Sequence, residues 1–200
     1  MRPGAAGSPS AQELTNRSAS LASLTTKFQT ASGINVSSRP VRQKLNEDDS
    51  VVPVDSHGFK QYDTLDAIHM DRMMSKVKSW VQDPQSFMLS QGLSVQESSV
   101  FSLIVEGFLI FNYGPLNELF DKRYFLQIPY ETCKLRRSSR VYVPPDPVGY
   151  FDGHVWPMYL KNRKEMENMV QDLVFLDGNQ KREDLLATVY KDIQQMFTAG

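Results

Sequence analysis

Arg136, Arg137 and Arg140 place three fixed cations within five residues, inside the stretch KLRRSSRVYVPPDPVGYFDGHVWPMYLKNR from Lys134 to Arg163. A guanidinium stays charged at physiological pH, and its planar fork of donors fits phosphate oxygens in pairs. On a helix, residues 136 and 140 share a face with 137 one step round. The spacing therefore predicts forks converging on one polyanion, where they offset charge that develops during phosphoryl transfer. The plainer alternative is a solvated helix face; Cys133 and Leu135, read as the apolar side of that helix, favour convergence. Glu106 ends the apolar run SLIVEG, Ser102 to Gly107. An acid there needs solvation or a cation to offset its burial, which makes it a candidate for the Mg²⁺ side of a phosphate site. Tyr62-Asp63, just after Gly58-Phe59, offers a ring to stack and a carboxylate for vicinal hydroxyls, although Asp63 is equally suited to N-cap a helix starting at Thr64. His154, in GHVWP, reads as a packed histidine and not as a catalytic base.

The elements that must position these residues are regular from Asp55 onward. Leu65, Ile68, Met73, Val77 and Trp80 recur at near-helical intervals, predicting an amphipathic helix from Thr64 to Val81 with its Met and Trp in the core, closed by Asp83-Pro84. SLIVEG reads as a strand buried on both faces of a parallel sheet. A second strand, Tyr124 to Ile128, leads through Pro129 into the arginine helix. Trp156 to Met169 makes another helix, Leu173 to Leu176 another strand, and Arg182 to about Met196 a last helix. Pro144-Pro145-Asp146-Pro147 is stiff and reads as scaffold packed by the nearby aromatics. Alternating strands and helices predict an α/β fold with a mostly parallel sheet, whose ligands sit at the carboxyl ends of its strands.

Composition narrows the partners. The chain has 200 residues, 40% of them hydrophobic, and a net charge of -1, which suits one domain with a real core and no general attraction to nucleic acid or acidic membranes. The longest apolar run, near Leu103 to Phe111, is far short of a membrane span. A single cysteine, Cys133, excludes an internal disulfide, and three scattered histidines show no metal-ligand spacing, so reducing cytoplasm is the expected location.

Residues 1–46 differ from the rest. Twelve of the first 40 residues are Ser or Thr, Phe28 is the only aromatic through Asn46, and six Lys or Arg face one acid, Glu13. This leader is expected to be poorly ordered; a mitochondrial transit segment is the minor alternative. Only INVSS, near Ile34, has strand character.

From residue 47 to 197 the chain resembles the nicotinamide riboside kinases, relatives of the uridine kinases among the P-loop kinases. The resemblance rests on GFKQYDTLDAI from Gly58, LIVEGFLIFNYGPL from Leu103, RYFLQIPYETCKLRRSSRVYVPPDPVGYFDGHVWPMYLKNRKEM from Arg123, and VFLDGNQKREDL from Val174. It implies ATP-dependent phosphorylation of the 5′-hydroxyl of nicotinamide riboside, giving the mononucleotide for NAD synthesis. It makes Tyr62, Asp63, Arg137, Tyr142 and Val143 riboside contacts and Glu106 the magnesium-side acid. It assigns Arg136 and Arg140 to the lid over ATP and Gln180, Lys181 and Arg182 to the segment near adenine.

The resemblance also implies a first strand, a P-loop, a helix and a second strand ending in Asp-Asp-Phe-Phe, the source of the catalytic base. None is recognisable in residues 1–46, and no Gly-Lys pair occurs in the chain. Glu47, Asp48 and Asp49 align better with the loop after that motif than with a base. Without Walker amides, Lys and hydroxyl, binding of ATP and Mg²⁺ and transfer of phosphate are expected to be weak or lost, as in a truncated isoform. In this fold family the first strand lies between the strand ending at Glu106 and the one from Tyr124, so two sheet edges should stand open unless the leader fills in. The alternative function is a non-catalytic protein that binds riboside, or a protein partner at the opened edge.

Overall fold

The computed structural model describes residues 37–42, 53–56, 58–59, 61–93, 95, 101–141 and 145–198. Its elements run β1 (Ser37–Arg42), a 3₁₀ turn (Leu65–Ala67), α1 (Met70–Gln82), α2 (Pro84–Ser90), β2 (Phe101–Glu106), a 3₁₀ turn (Ile110–Asn112) and α3 (Gly114–Asn117). They continue through β3 (Arg123–Gln127), α4 (Tyr130–Ser138), a π-helical turn (Phe151–Val155), α5 (Trp156–Met169), β4 (Leu173–Asp177) and α6 (Arg182–Thr198). The fold is α/β, with small parallel ladders flanked by helices. No helix among the described residues is long and apolar enough to cross a membrane.

The strands form two separate pairs. β1 runs parallel to β2, with Ser37 opposite Phe101 and Arg42 opposite Glu106. β3 runs parallel to β4, from Arg123 opposite Leu173 to Gln127 opposite Asp177. Among the described residues no ladder joins β2 to β3. The leader does contribute a strand, but one that begins at Ser37, beyond Ile34, which lies outside the described residues. Pro40 sits in that strand and has no N–H to donate, a position that sheets tolerate at an edge.

α1 forms because Met70, Met73, Met74 and Val77 repeat at three- and four-residue intervals, and all four are buried. They pack with Ile110, Phe111 and Leu116 after β2 and with Met166 and Val170 from the end of α5. The expected continuous helix from Thr64 is broken. Ile68 adopts extended backbone at φ −127°, ψ 138°, closing the 3₁₀ turn and sending its side chain into the core, so α1 begins only at Met70. Trp80 is half-buried rather than central, and β2 is half-buried along Phe101 to Val105 instead of covered on both faces, because a two-stranded ladder offers less cover than a full sheet. At the far end of α1, Asp83 Oδ1 accepts from the Ser86 amide at 2.9 Å and Pro84 starts α2, so the expected stop is also a start.

Candidate active site

The Asp63 side of the site is a loop tied by one carboxylate. Asp55 Oδ1 accepts from the Phe59 amide at 2.8 Å, its Oδ2 accepts from Gln61 Nε2 at 3.0 Å, and the Gly58 amide donates to its carbonyl at 3.0 Å. Gly58 makes that turn at φ +82°, a conformation that a Cβ would strain. The loop delivers Tyr62 and Asp63 half-buried at its end. α5 reaches across to hold it: Asn162 Nδ2 donates to the Asp63 carbonyl at 2.9 Å, and Asn112 Nδ2, from the turn after β2, donates to the Asn162 carbonyl at 2.9 Å.

Asp63 is not a helix N-cap. Thr64 precedes the 3₁₀ turn without a side-chain cap, and the Asp63 carboxylate instead lies 3.8 Å from His154 Nε2. His154 is packed as expected, at 4% exposure, and tertiary structure brings a second acid to its ring: Asp55 Oδ2 stands 3.6 Å from its Nδ1. Its ring stacks on Tyr150, with centroids 5.1 Å apart at 14°, and Tyr150 meets Phe59 edge-on at 5.1 Å.

Arg137 also packs on Tyr150 in this layer. Its Nε donates to Asp146 Oδ2 at 2.8 Å, its Nη2 approaches the same oxygen at 2.7 Å, and its guanidinium lies 5.6 Å from the Tyr150 ring centroid. A continuous stack therefore runs from Arg137 through Tyr150 and His154 to Asp63, uniting two riboside candidates that are far apart in sequence. The predicted riboside contacts Tyr142 and Val143 lie outside the described residues, as do Glu47, Asp48 and Asp49. Asp146 of the proline-rich stretch anchors Arg137, which gives that stretch its scaffolding role.

The arginines diverge instead of converging. α4 ends at Ser138, so Arg140 lies past the helix, exposed, and does not share a helical face with Arg136. Leu135 is 71% exposed and gives α4 no buried side. Arg136 Nη2 donates to the Gly178 carbonyl at 3.2 Å, away from the Arg137–Asp146 pair. That bond sets Arg136 beside the turn carrying Gln180, Lys181 and Arg182, three exposed residues at the head of α6, and so gathers four of the five nucleotide-side candidates. Gly178 fits there because its amide donates to Gln127 O at 2.8 Å, while an added Cβ would lie 2.6 Å from Ile128 Cγ2. On the opposite side of α4, Lys134 Nζ and Tyr130 both bond Asp152 of the π-helical turn. Those bonds, Lys134 first, hold the Asp152 carboxyl below its ordinary value.

Glu106 is buried, 9% exposed, at the carboxyl end of β2, with Leu109 in left-handed backbone at φ 59° three residues on. Among the described residues no three His, Cys, Asp or Glu side chains form a cation cage. Glu106 offers one hard oxygen donor group, which suits a Mg²⁺ ion that takes its remaining ligands from phosphates and water. Asn112 and Asn162 had no local signal in the sequence. Each acts through a partner 50 or 99 positions away that only folding brings near.

Parallel strands alternating with helices, an acid at the carboxyl end of β2 and cations on α4 after β3 define a kinase-like α/β protein. Over 149 residues the chain is 53% identical to nicotinamide riboside kinase 1 of Rattus norvegicus, a match covering 74% of this chain and 75% of that protein. It is 49% identical over 147 residues to nicotinamide riboside kinase 1 of Homo sapiens, covering 74% and 73%, and 47% identical over 157 residues to human nicotinamide riboside kinase 2, covering 75% and 68%. No protein-family model matches the chain. The chain belongs to the nicotinamide riboside kinase family.

Proposed function

We propose that this chain keeps its family's nicotinamide riboside pocket while transferring phosphate from ATP weakly or not at all. The observation that carries the reading is the stack from Arg137 over Tyr150 and His154 to Asp63. It supports a ribose diol held at the Asp63 carboxylate beside an aromatic layer. Arg136, Lys181 and Arg182 would meet the nucleotide's phosphates or base, Arg140 would extend the same side, and Glu106 would hold the Mg²⁺ ion. That ion, when bound, neutralises charge on the transferring phosphate. Phosphate positioning in such enzymes comes mainly from P-loop amides and a Lys, and the chain contains no GxxxxGK[ST].

Calorimetric titration of nicotinamide riboside and, separately, Mg-ATP, with a parallel assay for mononucleotide, tests this. The expected result is riboside binding without turnover and with weak or no ATP binding. Turnover at the rate of an intact kinase would refute the loss of transfer, and absence of riboside binding would refute the pocket. The second reading, a protein partner along the sheet, is favoured by the missing ladder between β2 and β3 among the described residues; co-sedimentation with an intact family member would support it.

A further inference from the structure

We propose that His154 is a positioning residue of this pocket, its Nε2 holding the Asp63 carboxylate in the orientation that a ligand diol meets. The role in ligand binding rests on the riboside reading above; the contact between the two side chains does not.

The ring has little freedom. Tyr150 covers one face at 14°, Phe59 lies tilted 5.9 Å from it, and the residue is 4% exposed on a π-helical turn. Extra-residue turns of this kind recur at functional sites because they re-aim a side chain. Its Nδ1 faces Asp55 Oδ2 at 3.6 Å and Gln61 Nε2 at 3.5 Å, and Gln61 itself donates to Asp55 Oδ2 and to the Phe59 carbonyl. That side is organised by the loop. On the other side Nε2 is buried without a hydrogen-bond partner, and the group it faces is Asp63 Oδ2 at 3.8 Å. A buried ring nitrogen left unmatched is costly, and closing the last fraction of an ångström onto a carboxylate would satisfy it. The charged groups around the ring are Asp55 and Asp63 at its edges and Arg137 beyond Tyr150, paired with Asp146. With Nε2 protonated, ligand binding at Asp63 would thus draw the carboxylate onto a donor held in place.

The test reads the contact and the ligand separately. Nitrogen-15 spectra of the His154 ring are compared in the wild-type chain, in Asp63→Ala, and in wild type with nicotinamide riboside. A displaced Nε2 resonance in Asp63→Ala supports the contact, and an unchanged one overturns the proposal. In calorimetry, His154→Leu is expected to bind riboside about tenfold more weakly than wild type. His154→Gln, whose amide reaches the Nε2 position, should recover most of that loss. Wild-type affinity in a folded His154→Leu chain, or equal loss in both variants, would show that the nitrogen does no positioning and overturn the proposal. Should the wild-type chain bind no riboside, the pocket reading fails, and the ring spectra alone decide the His154–Asp63 contact.

Discussion

Asn162, two turns into α5, donates from Nδ2 to the main-chain carbonyl of Asp63 at 2.9 Å, across 99 positions of sequence. The bond makes α5 a strut for the Asp63 loop, and Asn112 extends the strut to the end of β2. Asn162→Ala leaves the carbonyl without this donor. It should cost roughly 1–2 kcal/mol in urea denaturation and lower riboside affinity at the same time. A variant with unchanged stability and unchanged affinity would remove the strut from the account.

Arg137 meets Asp146 with two nitrogens and sets its guanidinium 5.6 Å from the Tyr150 ring centroid. Lysine keeps the charge but not the planar group that does both. Arg137→Lys is therefore expected to weaken riboside binding about tenfold while leaving the melting midpoint nearly in place. Equal affinity for the two proteins in calorimetry would mean that only net charge matters at this position.

Gly178 sits where a methyl group has no room, 2.6 Å from Ile128 Cγ2 and 3.1 Å from the Gln127 carbonyl. Gly178→Ala must push the turn away from β3, which also detaches the Arg136 contact. The expected loss is roughly 1–3 kcal/mol of stability, read from the denaturation midpoint. No loss would indicate that the turn is free to shift.

Tyr124 donates to Asp192 Oδ2 at 2.6 Å, and Lys122 Nζ stands 2.9 Å from Oδ1, tying α6 to β3. The Tyr124 hydrogen bond first, then Lys122, hold the Asp192 carboxyl below its ordinary value. Burial first, then Asp192, push the Tyr124 phenol well above its own. An acid depressed on folding contributes stability that is present above its unfolded value, about pH 4, and lost as pH falls through the lower folded value. A phenol raised on folding contributes stability that is present below about pH 10 and lost as pH climbs towards the folded value. Tyr124→Phe should therefore flatten both limbs of the stability profile measured by denaturant melts at fixed pH. If neither limb changes, the pH dependence comes from other groups.

Much of the architecture was legible because it depends on near neighbours in sequence. β2, β3 and β4 follow from short apolar runs, α5 and α6 from helical periodicity, and the Met stripe of α1 from three- and four-residue spacing. Family membership was equally legible in the motifs around Tyr62, Glu106 and Arg137. Break points were not. Ile68 leaves the helical path because burial in the core outweighs its place in an amphipathic pattern, and Arg140 leaves the face of Arg136 because α4 stops at Ser138.

By itself the sequence determined which residues carry charge, which faces are apolar, and that no P-loop pattern occurs along the chain, since these are matters of residue type and local spacing. Tertiary structure alone decided that Ser37–Arg42 pairs with β2, that Arg137 turns to Asp146 while Arg136 turns to Gly178, and that His154 comes to rest between Asp55 and Asp63. Except for Arg137–Asp146, nine positions apart, each of these joins segments far apart in the chain. Such contacts form only where packing offsets the entropy of closing a long loop, a balance struck over the whole fold and not written in any short stretch of it.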